Sequence, residues 1–278
     1  MREPEGGVMM TFIGGGNMAS AIIGGLIARG TRPADVRVVE PLAAQRERLA
    51  ARFAGVGLHA AVVPDAIAGA DTVVLAVKPQ QMRDAARQLS PFIGAIPRVL
   101  SIAAGIRTGD LAEWLGGYRR IVRAMPNTPA LIGAGIAALY ATPEARATAA
   151  PAAAILEACG AIIWVGDEAD LDAVTGVSGS GPAYVFYFLE ALERAGRELG
   201  LAATDARKLA YATFAGSIAL AQQTDDAPAV LRADVTSKGG TTARALDVLD
   251  AAGVADAFVR AVKAAAARAR ELGDEMAR

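Results

Sequence analysis

The chain has 278 residues, a formal net charge of −1 and an apolar content of 53%, which suffices to bury the core of one large domain or two ordinary ones. The balanced charge offers no footprint for nucleic acid, which needs a basic excess, and it fits a small-molecule partner. Cys159 is the single cysteine and His59 the single histidine. An intrachain disulfide is therefore excluded, and a reducing, cytoplasmic setting is expected. A zinc site or a histidine-based triad needs more than one isolated histidine, so no metal is expected and proton chemistry must fall to other groups.

The opening "MREPEGGVMM" is polar and acidic, without a signal-peptide pattern, and residues 1–7 read as a loose tail. Apolar types dominate residues 8–27, but Gly14, Gly15, Gly16 and Asn17 interrupt them, against a membrane span. "VMMTFIGGGNMASAIIGGLIARG" instead reads as a strand, a glycine turn and a helix that ends at Gly30. Its spacing is G-x-G-x-x-A at Gly14, Gly16 and Ala19. Gly14 permits the tight turn, Gly16 lets a pyrophosphate reach the backbone, and Ala19 lets the helix pack close to the strand. The phosphates would sit on the helix N-terminus, where free N–H groups favour negative charge. The bland alternative is a glycine-tolerant turn without a ligand.

A second strand, "VRVVE", ends in Glu40, about twenty residues beyond the glycines, where a carboxylate can accept hydrogen bonds from a ribose diol. A carboxylate there favours a free 2′-hydroxyl over a 2′-phosphate, so NADH is expected ahead of NADPH, with Arg46 and Arg48 close enough in sequence to soften the preference. "DTVVLAV" is a strand buried on both faces, with Lys78 and Pro79 at its carboxyl end. "RVLSIAAG" repeats the pattern and ends in the small residues Ala103, Ala104 and Gly105. "RRIVRAMPNTPALIGAGIAALYA" gives two strands around a proline-rich turn. Residues 143–158 read as a helix, and "GAIIWVG" as a closing strand. The α/β domain is expected over residues 8–166.

Beyond Gly166 the strand signals stop, and residues 167–278 read as an all-α domain. "EADLDAVTGVSGSGPAYVFYFLEALERAGRELGL" gives a helix, a Ser-Gly break and a long helix opening at Pro182. Thr204 is placed to cap the next helix, and Val254 to Met276 form the last. "AYVFYFLEAL" has few polar positions to show to water, and a helix apolar all round is normally buried. An obligate homodimer through this domain, or a larger ring of such dimers, is expected, without nucleic-acid or membrane partners.

"VTSKGGTTARALDVLD", residues 235–250, places Gly239 and Gly240 before a helix that Thr241 or Thr242 would cap. Such a construction fits an anion of carboxylate size. It equally fits an ordinary helix cap.

"FIGGGNMASAI", "LAVKP", "SIAAGI", "MPNTP", "DAVTGVSGSGPAYVF" and "VTSKGGTTARAL" together resemble the pyrroline-5-carboxylate reductases, from about Met10 to Leu272. The resemblance implies an α/β N-terminal Rossmann-type domain followed by an all-α C-terminal dimerisation domain. It implies reduction of the cyclic imine 1-pyrroline-5-carboxylate to L-proline with NADPH or NADH. The cofactor residues it implies are Ile13, Gly14, Gly15, Gly16, Asn17, Met18 and Ala19, then Ala76, Val77, Lys78 and Pro79, with Ala103 and Ala104 facing the nicotinamide. The substrate residues are Ser237, Gly239, Gly240, Thr241 and Thr242. The N–H groups of Gly240 and Thr241 would hold the substrate carboxylate. Thr242, the catalytic candidate, would reach the ring nitrogen. Asp234 departs from an asparagine found in some members, Lys238 from a common proline, and "LHAAVVPD" lacks an asparagine that some relatives place against the adenosine. Two rival readings remain open on sequence: a β-hydroxyacid dehydrogenase, with Lys208 as its only lysine candidate, and a non-catalytic NAD(P) sensor.

Overall fold

Short apolar runs, each closed by a glycine or proline turn, build one eight-stranded sheet. The computed structural model describes residues 8–277, and the sequence-predicted tail 1–7 lies outside them. The strands are β1 (Met10–Ile13), β2 (Val36–Val39), β3 (Gly57–His59), β4 (Thr72–Leu75), β5 (Arg98–Ser101), β6 (Ile121–Met125), β7 (Gly135–Ala141) and β8 (Gly160–Trp164). Their order is β3-β2-β1-β4-β5-β6-β7-β8, with β6–β7 the antiparallel pair among otherwise parallel neighbours. Ile13 pairs with Val39 on one side and Leu75 on the other, so β1, β2 and β4 end level. The chain order reverses at β1 and β4, and open parallel sheets bind ligands at the carboxyl edge of that point.

Side chains alternate across each strand. Phe12 and Val38 join one core, shared with Ile22, Ile23 and Leu26 of α1 (Asn17–Ala28) and Leu49 of α2 (Ala43–Arg52). Ile13 and Leu75 join the other, which includes Ile67 of α3 (Pro64–Ile67), Met82 and Leu89 of α4 (Pro79–Leu89), and Leu111 of α5 (Thr108–Trp114). Ile155 and Leu156 of α6 (Ala150–Glu157) return to the first core. This is the doubly wound, Rossmann-type arrangement. The helix predicted over 143–158 starts only at Ala150. Ala145 and Arg146 both donate to Thr142 O, which adds a single tight turn before Pro151 enters the first helical turn.

The sequence puts the domain change at Gly166, yet the first compact unit runs to Ser180 and resumes at Ala265. Glu168 explains the extension. Its carboxylate accepts the Thr108 N–H at 2.8 Å, the Thr108 hydroxyl at 2.6 Å and Arg123 Nη1 at 2.9 Å. Arg123 is buried, and a buried guanidinium left without its partner is costly, so this network binds the segment to the sheet. The helix α7 (Asp170–Val174) then runs into a π-turn at Thr175–Gly179 instead of the predicted Ser-Gly break. The Ser180 N–H reaches Thr175 O at 2.8 Å, five residues back.

The second unit, Gly181–Ala264, holds α8 (Gly181–Glu198), α9 (Ala203–Ala221), α10 (Pro228–Asp234), α11 (Thr241–Ala251) and the first part of α12 (Val254–Met276). Thr204 does not cap α9. Ala202 does, by accepting the N–H groups of Asp205 and Ala206 through its carbonyl, so Thr204 falls inside the first turn. Gly196 lets α8 approach α9, since a Cβ there would lie 3.0 Å from Ala206 Cβ. Tyr184 and Phe188 of α8 pack on Phe258 of α12, with ring centroids 5.5 and 5.7 Å apart. Among the described residues of this unit, Ala206 and Ala210 are the buried apolar side chains, while Phe186 is 64% and Tyr187 69% exposed. No helix among the described residues is long and apolar enough to cross a membrane.

Candidate active site

The glycine loop joins β1 to α1. Gly14 has φ +100°, the left-handed region that favours glycine, and its N–H donates to Val39 O at 2.8 Å. A Cβ on Gly14 would lie 2.8 Å from Ala76 O and 2.9 Å from Val77 Cγ1, which ties the loop closely to the end of β4. A Cβ on Gly15 would lie 2.6 Å from Leu49 Cδ1. At Gly16, by contrast, a Cβ would meet nothing within 4 Å. Gly16 is the extended N-cap of α1, with no side-chain cap. Asn17 and Met18 open the helix, and Ala19 is buried against the sheet. The loop thus leaves an open backbone surface at a helix N-terminus, where the first N–H groups have no intrahelical partner. This is the cradle a pyrophosphate requires.

Glu40 is buried at the end of β2. Its Oε2 accepts the Gly15 N–H at 3.0 Å and its Oε1 the Leu42 N–H at 2.9 Å. Arg46 donates through Nη1 to the carbonyls of Glu40 and Pro41, at 2.7 Å each. Gln45, absent from every sequence motif, donates its amide to Gly15 O at 2.6 Å.

At the end of β4, Ala76 and Val77 are half-buried, Lys78 is the extended N-cap of α4, and Pro79 is its first residue. The two alanines after β5 separate. Ala103 is 5% exposed and belongs to the core beside Ile106 and Leu111, whereas Ala104 is exposed. Both lie beyond the end of β5, Ala104 already in the turn, so of the two it is Ala104 that is open to solvent. Gly105 follows at φ +75°.

The "MPNTP" turn carries a residue with no role assigned from sequence. Asn127 Oδ1 accepts the Ile136 N–H at 3.0 Å, and its Nδ2 donates to Ser178 O at 3.2 Å. One side chain therefore couples this turn to the π-turn, and a Cβ on Gly179 would lie 2.6 Å from Met125 Cε. The signal available in sequence was the joint presence of "MPNTP" and "VTGVSGSGP".

In the second unit, Gly239 takes φ +72° and Gly240 is extended, so α11 starts at Thr241. Gly240 is the cap, without a side-chain bond, and neither Thr241 nor Thr242 fills that place. The turn engages the Gly240 N–H with Ser237 O at 3.0 Å. The first-turn N–H groups of Thr241 and Thr242 precede the intrahelical ladder. Thr242 is half-buried; Ser237, Lys238 and Asp234 are exposed.

Three further residues find ordinary places. His59 ends β3 and offers its carbonyl to the Glu40 N–H at 2.9 Å. Cys159 is buried, and burial pushes its thiol up to about 11. Lys208 is exposed on α9.

Residues 168–272 match the family described as pyrroline-5-carboxylate reductase dimerisation, and residues 9–105 match a family described as NADP oxidoreductase, coenzyme F420-dependent. A pyrroline-5-carboxylate reductase of Pseudomonas aeruginosa is 42% identical over 96% of this chain and 97% of its own. The chain belongs to the pyrroline-5-carboxylate reductase family. A member from Haemophilus influenzae is 40% identical over 95% of this chain and 97% of its own. The solved structure of the Coxiella burnetii reductase superposes with a TM-score of 0.90 at 38% identity, covering 96% of this chain and 99% of that one. The Plasmodium falciparum enzyme, solved with NADP bound, gives 0.84 at 27% identity over 96% and 98%.

Proposed function

We propose that the chain reduces 1-pyrroline-5-carboxylate to L-proline by hydride transfer from NAD(P)H, the last step of proline biosynthesis. The observation that carries this reading is the 42% identity to the Pseudomonas aeruginosa reductase over nearly the whole of both chains. The geometry agrees with it. Each unit offers a glycine turn that opens a helix without a side-chain cap, at Gly16 before α1 and at Gly240 before α11.

In the first unit, Gly14, Gly15 and Gly16 with the first turn of α1 hold the pyrophosphate, Glu40 meets the adenosine ribose, and Val77 and Ala104 flank the nicotinamide side. Bound nicotinamide supplies the hydride. In the second unit, Ser237 and Gly239 shape the turn; because the Gly240 N–H is taken by Ser237 O, the N–H groups of Thr241 and Thr242, in place of the sequence-expected Gly240 and Thr241, take the substrate carboxylate. The Thr242 hydroxyl accepts a hydrogen bond from the protonated ring nitrogen. That nitrogen already carries its proton, so the imine carbon needs only the hydride to give the neutral amine. The enzyme's work is placement, which suits a chain whose one histidine ends an edge strand.

The reading includes a preference for NADH. An ionised carboxylate has about four acceptor sites, and Glu40 uses one on Gly15 and one on Leu42. It retains capacity for a ribose diol and repels a 2′-phosphate. It also includes an obligate homodimer, supported by the exposed apolar helices of a unit with almost no buried side chains of its own.

Three measurements check these assignments. Thr242→Ala lowers kcat/KM for the imine roughly tenfold to a hundredfold, the worth of a hydrogen bond to a charged group, and Thr242→Ser restores most of it; wild-type kinetics in the alanine variant removes the residue from the mechanism. Glu40→Ser shifts the ratio of kcat/KM for NADH over NADPH about tenfold toward NADPH; an unmoved ratio takes Glu40 out of cofactor choice. Sedimentation at micromolar concentration shows no folded monomer, and a stable monomer contradicts the obligate dimer.

A further inference from the structure

Gly15 has no side chain to restrict its backbone, yet its peptide groups are fixed from two different elements. Its N–H is held by Glu40 Oε2 at the end of β2, at 3.0 Å, and its carbonyl by Gln45 Nε2 in the first turn of α2, at 2.6 Å. The acceptor is a carbonyl, so the contacting Gln45 atom must be the amide nitrogen, the only donor on that side chain. The Gly15–Gly16 peptide is trans, as every peptide bond described here is. Across a planar trans peptide the C=O and the N–H point in opposite directions. Drawing the Gly15 oxygen toward α2 therefore turns the Gly16 N–H away from it. The space beside Gly16 is open, since a Cβ there would meet nothing within 4 Å.

We infer that Gln45 is a positioning residue for the cofactor. It sets the Gly15–Gly16 peptide so that the Gly16 N–H, and not the Gly15 oxygen, faces the pyrophosphate. The inference rests on the reading of this loop as the dinucleotide site. Without the donor, the glycine peptide is free to rotate, and a rotated peptide turns a carbonyl dipole toward an anion. Glu40 and Gln45 then divide two tasks between them. Glu40 acts at the ribose, where NADH and NADPH differ. Gln45 acts at the pyrophosphate, which they share.

The test uses the full-length protein with Gln45→Met, which keeps length and helix propensity but removes the donor. Kd for NADH and for NADPH is measured by calorimetry, beside steady-state kinetics and thermal midpoints. Both Kd values rise about fivefold, the worth of a neutral hydrogen bond. The NADH/NADPH ratio stays constant, KM for cofactor follows Kd, and kcat and KM for the imine stay at wild type. Gln45→Asn, whose amide falls a methylene short of Gly15 O, shows the same loss and serves if the methionine variant misfolds. Wild-type Kd values in both variants overturn the inference while the dinucleotide reading stands. So does a shift in the NADH/NADPH ratio, which would put Gln45 at the ribose, or a fall in kcat at unchanged cofactor KM. Wild-type protein that binds neither cofactor overturns the dinucleotide reading and the inference with it.

Discussion

The backbone of Gly14 runs so close to the end of β4 that a side chain there would lie 2.8 Å from the Ala76 carbonyl. That approach depends on a left-handed φ of +100°, which glycine alone adopts without strain. From it follows the shape of the glycine loop. The chain turns within the width of one strand, and its N–H is taken by Val39 of the neighbouring strand. Gly16 is then delivered as an uncapped helix N-terminus beside open space. Buried Glu40 and half-buried Gln45 hold the loop in this shape from outside.

Gly240 is likewise an extended N-cap without a side-chain bond, at the start of α11. In the proposed function, anion recognition in both units falls on backbone N–H groups, which carry no protonation state and need no burial of a cationic side chain. The chemistry assigned to this family tolerates that economy, because a protonated imine accepts a hydride without further acid catalysis. The Glu168, Thr108 and Arg123 network and the Asn127 bridge add long-range ties within the first unit. They fix the π-turn that precedes α8 to the sheet and the "MPNTP" turn.

Much of this was legible in the sequence, for identifiable reasons. Strands buried on both faces leave continuous apolar runs such as "TVVL" in β4, and the glycine spacing announces the first turn. β3 escaped because three residues carry too little pattern. α10 had its Pro228 start signal, but only seven residues of periodicity. The threonines before α11 resembled caps, yet the left-handed Gly239 moves the cap back to Gly240. Ala103 and Ala104 looked equivalent in composition, yet Ala103 is buried in the core and Ala104 is exposed in the turn that follows β5. Strand patterning stops at Gly166, where the sequence places the domain change, and the family match starts at residue 168; the ties of Glu168 to Thr108 and Arg123, which carry the first compact unit on to Ser180, are long-range, and no local pattern reports them. Gln45 was invisible for the same reason: its partner lies 30 residues away in sequence.

In the proposed reaction, hydride passes from nicotinamide to the imine carbon of 1-pyrroline-5-carboxylate. NADH deuterated at C4 on the transferred face, incubated with this protein and the imine, tests it directly. The account predicts proline carrying deuterium on the ring carbon next to nitrogen and remote from the carboxylate. Unconsumed NADH, or proline without that label, would contradict it.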